Sequence, residues 1–261
     1  MAHLLRRPLC SAVGAFSSSP LPRRCFSQYA PLCAGSIQPQ MIKPRQKAER
    51  TTFILPRFSN RPSIFREPRQ HLRLLWRGFR LKARDWFGLI VFKFAGPEPR
   101  WFNRSFKIQR GKIVPTALAL HKQMYSSFAE GDVAAVRKTC TDGLYETFRA
   151  RIAGRGKGET VQWELVRYNG RAKLVSDRVS RYPIEGAGAR QSVVRICSDQ
   201  KLTRWRGDKM VEGSGKVKSV EEYVVIQKRV VGWKQEEWMV WGTTYETGLE
   251  DVEEWKRKDW I

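Results

Sequence analysis

The chain has 261 residues, 41% of them hydrophobic and 11% aromatic, which is enough for one well-packed domain plus extensions. Its formal charge is +24, and the first 110 residues hold 22 Lys and Arg against only Glu49, Glu67, Asp85 and Glu98, a surplus of 18. This excludes a uniformly basic fold and points to an appended basic arm, for which RNA and anionic lipid are the candidate partners. Cys10, Cys25, Cys33, Cys140 and Cys197 include no C-x-x-C pair, and three of them crowd the N-terminal segment, which argues against a zinc site or a disulfide framework.

Residues 1–26 carry Arg6, Arg7, Arg23 and Arg24 with Ser11, Ser17, Ser18 and Ser19 and no acid. That is the make-up of a mitochondrial presequence, and the apolar stretch Leu9 to Phe16 is too short for a secretory signal. The run Arg24-Cys25-Phe26-Ser27 resembles a matrix-protease site, which places the mature start near Ser27. Residues 27–70 form a Pro/Arg-rich arm in which Pro31, Pro39, Pro44, Pro56, Pro62 and Pro68 stop helix and sheet from propagating, so an extended chain is expected. Arg57, Arg61, Arg66 and Arg69 alternate there with Phe53, Ile54, Leu55, Phe58 and Phe65, a mixture of cations for phosphates and rings for bases or protein grooves. A solvated linker is the rival reading.

Residues 71–94 read as a cationic amphipathic helix. Arg73, Arg77, Arg80 and Arg84 recur at four, three and four along one side, with Leu72, Leu75, Trp76, Phe79 and Ala83 on another. The arginines from 57 to 84 are the candidate RNA contacts. The helix ends in Trp86-Phe87-Gly88-Leu89-Ile90-Val91-Phe92, far short of the roughly 20 residues that span a bilayer. Trp86, Phe87, Ile90 and Phe92 are therefore candidates for contact with a membrane surface, or for packing on the domain or in a ribosomal crevice.

Residues 95–112 are a connector, broken by Gly96-Pro97-Glu98-Pro99, and the domain proper spans 113–245. It opens with three helices. Val114, Leu118, His121, Tyr125 and Phe128 form the stripe of the first, which Gly131 ends; Asp132 caps a short second helix, and Leu144, Phe148 and Ile152 line the third. About five antiparallel strands follow, with Asn169-Gly170 read as a two-residue hairpin turn and Gly207 to Gly215 as a polar loop. The acidic tail, 246–261, carries Trp255 and Trp260 as candidate clamps. The class is α+β: three helices across the concave face of a bent antiparallel sheet, with a basic N-terminal arm and an amphipathic helix attached.

Three helices before a bent sheet resemble the cystatin-like cone of nuclear transport factor two. More specifically, HKQMYSSFAEGD at residues 121–132, followed by Val136, Cys140, Leu144, Tyr145 and Phe148, resembles the C-terminal domain of the mitochondrial import-motor anchor. The same domain type occurs in a mitochondrial large-subunit ribosomal protein and in the inner-membrane mitoribosome receptor of fungi. An acid-poor, Pro/Arg-rich arm favours the ribosomal branch over a subunit of the import motor. That resemblance implies a matrix-side protein of the inner membrane. It would contact rRNA and proteins of the large subunit, hold the tunnel exit near the membrane insertase and meet nascent chains.

A cone-fold enzyme is the competing class, and it needs an acid or base aimed into the cone. His3 lies in the presequence, His71 in the arm and His121 on a helix stripe, while Glu164, Asp177, Tyr182 and Tyr223 form no recognisable pair. No catalytic residue, metal ligand or cofactor is therefore assigned, and the expected function is non-enzymatic.

Overall fold

The computed structural model describes residues 52–95 and 106–257, so the presequence, residues 27–51 of the arm and Trp260 lie outside the described residues. Four helices precede the sheet: α1 (Pro68–Phe94), α2 (Arg110–Glu130), α3 (Val133–Thr139) and α4 (Asp142–Ala153). The strands are β1 (Glu159–Tyr168), β2 (Lys173–Arg181), β3 (Gly188–Arg206), β4 (Lys209–Met210), β5 (Val217–Val231) and β6 (Lys234–Thr244), and α5 (Leu249–Arg257) follows them. The chain is thus α+β, with helices set against a curled antiparallel sheet.

Local chemistry explains the helix breaks. Gly131 adopts φ 78, a left-handed conformation that a side chain disfavours, and so ends α2. One residue on, the Asp132 carboxylate accepts from the Ala134 and Ala135 amides at 2.9 and 3.0 Å and starts α3.

The spine of the sheet is β3. Along one side it pairs with β5, which pairs in turn with β6; along the other it pairs with β1 through its C-terminal half and with β2 through its N-terminal half. Tyr168 sits opposite Ser198 and Lys173 opposite Arg195, so β1 and β2 run in the same direction. Asn169-Gly170 is therefore no hairpin. Gly170 does take the positive φ of 79 that the dipeptide favours, yet β3 has 19 residues and offers fresh edge to the chain beyond the kink. The reversal comes instead at residues 182–187, where the Tyr182 amide donates to the Ala187 carbonyl at 3.1 Å. A two-residue strand, β4, inside the expected polar loop brings the count to six. Register shifts in three of the strand pairings mark bulges, the usual means of bending a sheet.

Helices α2, α3 and α4 cover one face, where Ala117, Met124, Tyr125, Val136, Cys140 and Phe148 meet Val194, Ile196, Val224, Ile226 and Val240. The Val, Ile, Met and Phe side chains among them contribute about 1.5–3 kcal/mol each when fully buried. On the opposite face Ile54 packs against Val193, Tyr223 and Val225. The extended segment of the arm is thus part of the core, and Phe53, Ile54 and Leu55 are withdrawn from the nucleic-acid reading. Backbone and side chain lock it in place: the Ile54 amide donates to Thr247 Oγ1 at 3.0 Å and the Thr247 amide to the Ile54 carbonyl at 2.9 Å. Helix α1 runs beside β2, and Leu74 on it meets Phe53 and Val252 of α5, with Trp255 packed alongside.

Candidate functional site

The candidate residues concentrate on α1. Pro68 opens the helix in its first turn, where a missing amide costs nothing and the fixed φ suits the helix. His71, Leu74, Gly78, Leu89 and Phe92 form its buried side. A Cβ on Gly78 would come within 2.7 Å of the Phe53 ring, so a glycine there permits the close approach. His71 Nδ1 lies 2.8 Å from the Pro62 carbonyl.

The eight arginines of the RNA reading divide into two groups. Arg57 pairs with Glu221 at 2.8 Å while its amide donates to Glu246, and Arg61 Nε donates to the Pro56 carbonyl at 2.7 Å. These two are held by their own chain, because residues 53–57 are threaded onto the sheet instead of running free. Arg66, Arg69, Arg73, Arg80 and Arg84 are exposed, Arg77 is half-buried, and none of the six forms an ion pair among the described residues. The spacing of four, three and four brings Arg73, Arg77, Arg80 and Arg84 onto one side of α1.

Of the membrane-surface set, Trp86 and Phe87 are exposed and Ile90 is half-buried, but Phe92 is buried at 1% exposure. Phe92 falls three residues after Leu89 on the inner side. There it packs on Phe106 and Trp233, with ring centroids 5.0 and 5.6 Å away, so it belongs to the core and not to a membrane face. Lys93 also turns inward, its Nζ donating to the Phe106 carbonyl at 2.7 Å, and burial lowers its pKa. Asp85, the single acid of α1, is half-buried on the inner side of the helix, and burial pushes its carboxyl up to about 6 even though Arg178 and Arg84 pull the other way.

The covered face of the sheet holds a polar network that joins residues about a hundred positions apart. His121 Nε2 meets Glu222 Oε2 at 2.9 Å, Tyr125 donates its hydroxyl to Glu222 Oε1, and Gln200 Nε2 donates to Oε2 at 3.1 Å. Trp163 Nε1 donates to Gln200 Oε1 at 2.9 Å and stacks its ring on Tyr125. Burial alone would raise the Glu222 pKa. The hydrogen bonds to His121, Tyr125 and Gln200 outweigh it and hold the carboxyl below its ordinary value, whereas burial and the Glu222 charge push the Tyr125 phenol well up. Glu222 has no signal in the sequence, since it reads as one more polar residue of a strand.

The other pocket candidates are not brought together. Asp177 is locked to Arg190, Tyr223 donates its hydroxyl to Glu246 at 2.8 Å, and Glu164 and Tyr182 are exposed. What remains free for a partner is the outward side of α1, which is cationic, aromatic and free of acids.

No curated protein matches the chain. A family model described as MBA1-like protein matches residues 39–259, which takes in α1, the sheet and α5. The chain therefore belongs to the MBA1-like family, mitochondrial proteins associated with the inner membrane and with a ribosome-related role.

Proposed function

We propose that this chain is a non-enzymatic receptor or component of the large mitochondrial ribosomal subunit, which holds the tunnel exit close to the inner membrane on its matrix side. The observation that carries this reading is the row of arginines on α1, exposed over most of its length and without carboxylate partners among the described residues. A row of this kind neutralises a polyanion, and rRNA is the polyanion that a ribosome presents. Phe58 at 70% and Phe65 at 96% exposure stand beside it, ready to stack unpaired bases. We read the helices α2, α3 and α4 on the sheet as a cystatin-like cone whose interior is filled by the Glu222 network, a platform for the helix and not a substrate pocket. The basic, acid-free residues 1–26 serve as a removable import signal in this reading, and the insertase and nascent chains are the neighbours at the exit.

The test is co-sedimentation of the mature protein with purified large subunits across a salt series. Each phosphate contact adds about −0.7 to the log–log slope on single-stranded RNA, so Gln at Arg73, Arg77, Arg80 and Arg84 flattens the slope by up to roughly 3 while the melting temperature stays put. An unaltered slope in that variant removes the arginine row from ribosome binding.

A further inference from the structure

We propose that α1 lies flat on an anionic phospholipid bilayer and seats its whole outward apolar stripe in the interface, from Leu72 to Phe94. The inference rests on the membrane-associated role proposed above and names the surface that performs it. Leu72, Trp76, Phe79, Trp86, Phe87 and Phe94 are between 56% and 68% exposed. Their positions, with Ala83 and Ile90 filling the gaps, recur at four and three residues and fall on a single side of the helix. At about 1.5 Å per residue the stripe from Leu72 to Phe94 is about 33 Å long.

The opposite side of the same helix is already packed, through Leu74, Gly78, Leu89 and Phe92. The outward stripe therefore contributes nothing to the fold, and a large exposed apolar patch of this kind marks a binding surface.

Charge decides what covers it. Arg69, Arg73 and Arg80 border the stripe on one side and Lys82 on the other, all exposed, while Asp85 is turned inward and leaves the outward side without a carboxylate. Cations along the borders of an apolar, Trp- and Phe-rich face match a surface with phosphates above and acyl chains below. RNA is a poorer match for this side, since it would leave Leu72, Ile90 and Phe94 uncovered. At the N-terminal end, Arg69, Leu72, Arg73 and Trp76 line an open, almost wholly apolar groove of about 400 Å³, a surface suited to the first methylenes of a lipid chain. No described helix is long and apolar enough to cross a membrane, so α1 rests on the surface. Arg77 and Arg84 lie further round the helix from the stripe, where rRNA can reach them while the stripe is seated.

The experiment is flotation of the mature protein with vesicles of phosphatidylcholine and phosphatidylglycerol, and with phosphatidylcholine alone. Wild type floats with the anionic vesicles. A variant with Ser at Leu72, Trp76, Phe79, Trp86 and Phe87 loses at least about tenfold in partitioning, with its melting temperature and ribosome co-sedimentation retained. Should that variant fold poorly, the pair Trp76→Glu and Trp86→Glu keeps the test open, since both side chains point into solvent. Undiminished flotation of a folded variant overturns the proposal, as does a wild-type protein that fails to float. Self-association that the variant abolishes would assign the stripe to a second copy, and loss of ribosome binding with flotation intact would assign it to the ribosome; either result also overturns it. Gln at Arg77 and Arg84 alone, which lie away from the stripe, reports on the ribosome reading separately.

Discussion

Replacing Asp177 with alanine strands the guanidinium of Arg190 in the core. Both side chains are almost wholly buried, at 0% and 2% exposure. Arg190 Nε donates to Oδ1 of Asp177 at 3.0 Å and Nη2 to Oδ2 at 2.9 Å, a two-pronged pairing, and Ser192 adds its hydroxyl at 2.9 Å. The other prongs of Arg190 hold the carbonyls of Lys107 and Ile108, at 2.9 and 2.6 Å, just ahead of α2. Removing the carboxylate leaves a cation with two carbonyl acceptors and no counter-charge, a change that costs about 3–5 kcal/mol in buried pairs. In a domain of this size each kcal/mol moves the melting temperature by about 2–4 °C, so Asp177→Ala is expected to lower it by roughly 6–20 °C. Circular dichroism melts together with urea titration measure this, and an unchanged urea m-value shows that the fold still opens as one unit. The double variant Asp177→Leu with Arg190→Met removes both charges and recovers most of the loss. A cost below about 1 kcal/mol for Asp177→Ala, or a double variant no better than the single one, refutes the claim that the pair is a buried, mutually dependent unit.

Two further outcomes are expected. The Asp85 carboxyl, raised to about 6 in the folded chain against an ordinary 3.8, is protonated in both states below about pH 4. As pH rises from there to about 6 the unfolded chain ionises first, so the folded state loses stability across that window and stays penalised above it; Asp85→Asn should gain up to about 3 kcal/mol at pH 8 and nothing at pH 4, and equal effects at both pH values would sink the argument. N-terminal sequencing of the mitochondrial form should find a mature start near Ser27, and an intact Met1 or Ala2 would contradict the import-signal reading.

The parts of the fold that were legible in advance are those whose cause is local. Gly131 and Asp132 stop one helix and start the next through their own backbone angle and carboxylate, and the stripe of Leu144, Phe148 and Ile152 needs nothing beyond helix periodicity. Asn169-Gly170 misled because its turn signal is real, whereas the partner that decides the strand's direction lies on β3, about thirty residues away. Helix α1 has apolar residues on two sides, and composition alone cannot say which side packs. The discriminating facts are small ones: Gly78 is where Phe53 approaches, and Phe92 continues the row of Leu74 and Leu89 rather than that of Trp86. Nor does anything near Glu222 announce that His121 and Tyr125 will close on it, because that meeting is made by the sheet.

The clasp between Ile54 and Thr247 has a consequence for the order in which the protein can be completed. The inner side of α1 needs Phe53, Val252 and Trp255, and Ile54 is pinned only when Thr247 arrives. During synthesis or threading through an import channel from the N-terminus, α1 is delivered early, and Val252 and Trp255, the neighbours of its N-terminal half, last. Until then the outward stripe and the N-terminal half of the inner side, around Leu74, stand open. A chain cut short before Thr247 would keep Leu89 and Phe92 on Phe106, Val230 and Trp233 but would leave the N-terminal half of the helix, around Leu74, without Val252 and Trp255.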